Sequence, residues 1–110
     1  MDAEALRQRL EEIAARIRRE HPRVQDVLLF GSFVRGDFTP RSDVDVAILL
    51  SRDGEPFLKR TDAFVDYFAD LPLDVNLLVY TQEELGRMLA EGNRLARAIV
   101  EGVSLGREER

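Results

Sequence analysis

Three short runs rich in aliphatic residues, VQDVLLF (24–30), DVDVAILL (43–50) and LPLDVNLLVY (71–80), are separated by stretches whose apolar residues recur at helical spacing. Strands this apolar need cover on their faces, and the intervening segments are the only material that can supply it. The alternation therefore predicts an α/β (α+β) domain, a small sheet flanked by helices, with strand directions left open. Leu6, Leu10, Ile13 and Ile17 lie on one face of a helix over 3–20, opposite a face rich in Arg and Glu, and Pro22 marks its end. Residues 31–36 read as a turn opening a short helix, 38–42 as a loop and SRDGEP (51–56) as a turn. A second amphipathic helix is expected over 57–69, carrying Phe57, Phe64, Val65 and Phe68. Thr81 and Glu84 fit a T-x-x-E capping box ahead of Leu85, Met88 and Leu89. Gly92 interrupts before a last helix in NRLARAIVEG, whose Leu95 and Ile99 continue the apolar stripe as core or as a docking face. One domain over 1–105 is predicted, with 106–110 a frayed tail.

Composition narrows the function classes. With 110 residues, 45% of them hydrophobic, the chain can build a core without staples. It has no cysteine, which excludes disulfides and thiolate metal sites, and its single histidine, His21, reads as a helix cap. No run approaches the roughly 20 apolar residues of a membrane span. The acidic, amphipathic start MDAEALRQRL does not resemble a signal peptide, so a cytoplasmic protein is expected. The net charge of −5 argues against long nucleic acid as a ligand.

The chemistry concentrates where the strand pattern is broken. Asp43 and Asp45 sit two apart at the head of DVDVAILL, so their carboxylates point to one face. Two such charges ~5 Å apart repel by about 3 kcal/mol at an effective dielectric near 20, and a divalent cation between them reverses the sign. Oxygen-only ligands favour Mg²⁺ or Mn²⁺. Taken alone, D-x-D equally describes solvated aspartates at a strand start. Asp74, in the third apolar run, reaches the same face if the two strands are neighbours. Three converging carboxylates suit two metal ions about 3.5–4 Å apart, as in in-line phosphoryl transfer, with Asp74 the natural base for an attacking hydroxyl. In FGSFVRG, Gly31 allows close backbone approach, and Ser32 is a good N-cap for a turn that exposes N–H groups to phosphate. The spacing from Gly31 to Gly36 imitates a P-loop, but Asp37 and Phe38 stand where lysine and a hydroxyl are required. Arg35, three residues past Ser32, is positioned for a phosphate or an acidic partner, whereas Arg41 reads as a solvated turn residue.

Gly31-Ser32, ten residues, then Asp43-Val44-Asp45 resembles the G-S-x10-D-x-D signature of the polymerase-beta-like nucleotidyltransferase superfamily. The R-G at 35–36 and S-D at 42–43 are similar to its minimal nucleotidyltransferase (MNT) family. The resemblance covers roughly residues 5–90 and implies a mixed sheet flanked by helices. It implies transfer of a nucleoside monophosphate, AMP from ATP, to a hydroxyl acceptor. Gly31, Ser32 and Arg35 then fall on the nucleotide. Asp43, Asp45 and Asp74 become the metal-binding and catalytic set, holding two Mg²⁺ ions or Mn²⁺. Larger relatives carry an acceptor-binding helical domain, which little more than thirty residues after Asp74 cannot supply. The resemblance thus implies a helical HEPN-type toxin as partner, modified on a tyrosine by an antitoxin, or a second copy of the chain. Two alternatives stay open: an antibiotic-type transferase working as a dimer, and a neutralising binding subunit without catalysis.

Overall fold

The stripe Leu6, Leu10, Ala14 and Ile17 is fully buried, and it holds the first helix, α1 (Ala3–Glu20), against the sheet. Burying each of the larger three stabilises the fold by about 1.5–3 kcal/mol. Asp2 caps α1, its carboxylate accepting the Ala5 N–H at 2.8 Å. His21 ends the helix through its backbone N–H, which donates to Ile17 O at 2.9 Å, while its ring Nε2 lies 3.1 Å from the Tyr67 hydroxyl. The computed structural model describes residues 2–36, 39, 43–52 and 57–107. The pair Asp37–Phe38, most of the loop read over 38–42 with Arg41, the turn at 53–56 and residues 108–110 lie outside the described residues.

After α1 come β1 (Val24–Phe30), α2 (Ser32–Arg35), β2 (Val44–Leu50), α3 (Phe57–Arg60), β3 (Val75–Thr81), α4 (Gln82–Ala90), α5 (Arg94–Val100) and β4 (Val103–Ser104). The sheet runs β3-β2-β1-β4 and is mixed: β1 pairs antiparallel with both β2 and β4, and β2 parallel with β3. Val27 and Leu29 of β1, with Val44, Val46, Ile48 and Leu50 of β2, pack under α1, Phe64 and Phe68. Leu28, Phe30, Ala47 and Leu49 pack the opposite face under Leu85 of α4 and Ala96 and Ile99 of α5. Both faces are thus covered, which accounts for the near-continuous apolar runs of the two central strands. The expected α+β class, a small mixed sheet between helices, is what forms. No helix among the described residues is long and apolar enough to cross a membrane.

Three details differ from the sequence reading. The helix expected over 57–69 is α3 followed by two short 3₁₀ turns, Thr61–Ala63 and Val65–Phe68. Thr61, Asp62, Val65 and Asp66 are weak helix formers, and the tighter turns bury both Phe64 and Phe68 against the sheet. Strand β4 has only two residues, too short for any alternation to announce it. Gly106, assigned above to the tail, is buried, with its N–H donating to Glu11 Oε2 at 2.8 Å. A Cβ there would stand 2.5 Å from Ala15 N, so α1 and the chain end touch backbone to backbone. At the α4–α5 surface the apolar stripe divides: Leu85 and Ile99 are core, whereas Leu89 and Leu95 are exposed.

Candidate functional site

The parallel register between β2 and β3 sets Asp45 beside Asn76, and the antiparallel register with β1 sets Asp45 beside Phe30. Asp45 therefore occupies the middle of the sheet at its β2 entry, half-buried, with exposed Asp43 two residues earlier. The Asn76 amide joins them, its Nδ2 donating to Asp45 Oδ1 at 3.0 Å and to Asp43 Oδ2 at 3.4 Å. The two carboxylates of the D-x-D are thus brought together on the face that also carries α4 and α5. Asn76 went unassigned in the sequence reading. Its signal was available as a polar amide in a strand, where asparagine is disfavoured, but its partner depends on a register no local pattern reveals.

Asp74 stands one residue ahead of β3 rather than inside it, and its carbonyl accepts the Val44 N–H at 3.0 Å. Its backbone thereby extends the β2–β3 pairing to the level of Asp43, while the side chain opposite Asp45 belongs to Asn76. Among the described residues no three acidic or histidine side chains are gathered closely enough to share one metal ion. The gathered pair is Asp43 and Asp45, with Asp74 beside it on the β3 side. Hard carboxylate oxygens, facing solvent at the end of a sheet, are a donor set that fits a small divalent cation such as Mg²⁺.

Gly31 closes the other side of Asp45. Its φ is +79°, and a Cβ at this position would lie 2.1 Å from Asp45 Oδ2. Only glycine satisfies both the backbone geometry and the carboxylate against it. Gly31, not Ser32, is accordingly the N-cap of α2, with Ser32 the first helical residue. The Gly31 carbonyl accepts the N–H groups of Val34 and Arg35, both at 3.1 Å. Gly36 ends the turn in the left-handed conformation, φ +83°.

Beyond Gly31 a cleft of about 420 Å³ opens between α2 and α5. Phe30, Gly31, Val34 and Arg35 form one wall, and Arg94, Arg97, Ala98, Glu101 and Gly102 the other. Arg35, Arg94 and Arg97 are all exposed, in a chain whose overall charge is −5.

A comparison with curated proteins finds no sequence match. A crystal structure from Sulfolobus solfataricus, described provisionally as a nucleotidyltransferase, superposes with a TM-score of 0.59. It shares 20% sequence identity, over 93% of this chain and 84% of that one, and establishes a shared fold. The nucleotidyltransferase domain profile matches residues 10–103, a span that takes in Gly31, Ser32, Asp43, Asp45 and Asp74. The chain belongs to the nucleotidyltransferase domain family, in keeping with the polymerase-beta-like pattern of its glycine–serine turn and paired aspartates.

Proposed function

We propose that the protein is a Mg²⁺-dependent transferase that moves AMP from ATP to a hydroxyl on a protein acceptor, a tyrosine of a helical HEPN-type toxin, and so acts as its antitoxin. One observation carries the catalytic part of this reading: Asp43 and Asp45, tied by Asn76, face the same point with Gly31 packed against Asp45. Asp43 and Asp45 would hold the divalent ions, and Asp74 would complete the set from the β3 side. The ions supply charge neutralisation at the phosphates when bound. The turn at Gly31 and Ser32, with Arg35, would orient the triphosphate. Asp74 would accept the proton of the attacking hydroxyl. The acceptor oxygen then bonds to the α-phosphorus, the bond from that phosphorus to the bridging oxygen of the β-phosphate breaks, and pyrophosphate leaves.

A protein acceptor is favoured over a small molecule because the site lies at the open end of the sheet, with Asp43 exposed. The test is incubation with labelled ATP and Mg²⁺, with and without a helical partner. Label on a partner tyrosine is expected, together with loss of at least hundredfold in D43N, whose fold is retained because Asp43 is exposed. Label on an aminoglycoside-like alcohol would replace the protein acceptor with a small one. A tight complex with no ATP consumed would overturn catalysis in favour of neutralisation by binding.

A further inference from the structure

The sheet order gives the reaction a direction. β2, with Asp43 and Asp45, is flanked by β3 on one side and β1 on the other. Asp74 is on the β3 side, and Gly31 with the α2–α5 cleft is on the β1 side. In-line displacement requires the attacking and leaving oxygens to lie on opposite sides of the phosphorus. If the acceptor enters over Asp74, the leaving group departs over Gly31, into that cleft.

The cleft is built for such a group. Arg94 and Arg97 lie three residues apart, on one face of α5, and both line it. Neither guanidinium has a hydrogen-bond or ion-pair partner among the described residues. Arg35 on the facing wall already has an interaction of its own, which leaves the α5 pair to meet an incoming anion. Glu101, one turn beyond Arg97, is the one acidic side chain in the lining among the described residues. Two planar cationic forks suit adjacent phosphate groups. A carboxylate beside them opposes a bound polyanion and keeps it releasable.

We propose that Arg94 and Arg97 receive the pyrophosphate end of the nucleotide in the cleft between α2 and α5, with Glu101 weakening the hold so that pyrophosphate can leave. This rests on the transferase reading for its direction, but binding can be measured without transfer. Inorganic pyrophosphate and inorganic monophosphate are titrated calorimetrically into the wild-type chain and into R94Q, R97Q, R94Q/R97Q and E101Q, with and without Mg²⁺. Arg94, Arg97 and Glu101 are all exposed, so each variant should keep the wild-type melting temperature.

Pyrophosphate affinity is expected to fall about tenfold in each single arginine variant and further in the double, and to rise about threefold in E101Q. Monophosphate should bind much more weakly than pyrophosphate. Where transfer is measurable, R94Q/R97Q should raise KM for ATP and E101Q should strengthen product inhibition by pyrophosphate. Unchanged pyrophosphate binding in R94Q/R97Q, equal binding of monophosphate, or weaker binding in E101Q overturns the proposal even if transfer proceeds. Arginine-dependent pyrophosphate binding in a chain that transfers nothing would leave the cleft assigned and remove the transferase reading instead.

Discussion

A single methyl group at position 31 reaches the centre of the site. In G31A the new Cβ would fall 2.1 Å from Asp45 Oδ2 on a backbone with φ +79°, so the carboxylate must swing away from Asn76 or the turn must unwind. Strained backbone of this kind costs about 1–3 kcal/mol in a residue with a side chain. We expect G31A to lose stability by about that amount in denaturant titration. Labelled-ATP transfer should fall at least hundredfold. Full transfer in a folded G31A would separate Asp45 from catalysis. Of these side chains, Asp43 and Asp45 were legible because two charges at period two in an apolar strand conflict with the strand's own chemistry. Asn76 was not, because its meaning comes only from pairing with a strand thirty residues away. Arg94 and Arg97 carry no local signal either, because they matter only once α5 is seen to line a cleft opposite α2.

At the scale of elements, α1 and strands β1 and β2 were legible from apolar periodicity, and the T-x-x-E capping box of α4 forms as its residues predict. The sequence did not disclose that the same Glu84 also closes on α3. Arg60, buried, donates to Glu84 Oε1 at 2.5 Å and to Oε2 at 3.0 Å, while Glu84 Oε1 accepts the Thr81 N–H at 2.9 Å. The Arg60 bond holds the Glu84 carboxyl below its ordinary value of 4.5. A lowered carboxylate pKa contributes stability that is complete above the unfolded value and is lost as pH falls through the folded one. Glutamine at 84 keeps the cap and removes the charge. E84Q should therefore cost about 1–3 kcal/mol at pH 7, because it removes the carboxylate that both terminal nitrogens of the buried Arg60 donate to. The gap to wild type should close in acid, once the pH has fallen through the lowered folded value and Glu84 is itself protonated. Urea titrations at the two pH values check both the size and the direction. A gap that widens in acid would exclude the ion pair as its source.

Over the whole molecule, one side chain ties the first helix to the last strand. Arg18 donates from Nε to Leu105 O at 2.9 Å, and from Nη2 to Asp26 Oδ1 at 2.7 Å and Ser104 Oγ at 3.2 Å. Leu105 in turn donates its N–H to Val27 O at 2.7 Å. R18M keeps much of the aliphatic stem and removes the donors. It should cost about 1–3 kcal/mol, since it removes the counter-charge of Asp26, which keeps the Ser104 hydroxyl and the Val27 N–H, and leaves the part-buried Leu105 carbonyl without its donor. Amide exchange at Leu105 should then accelerate ahead of the central strands, and exchange equal to wild type there would mean that β4 holds without Arg18. The fastening has a consequence for how the chain is made. β1 appears among the first thirty residues and finds β2 soon after, but its other flank waits until residues 103–106 have left the ribosome. Until they do, the nascent sheet carries an open seam on β1, and their arrival closes it.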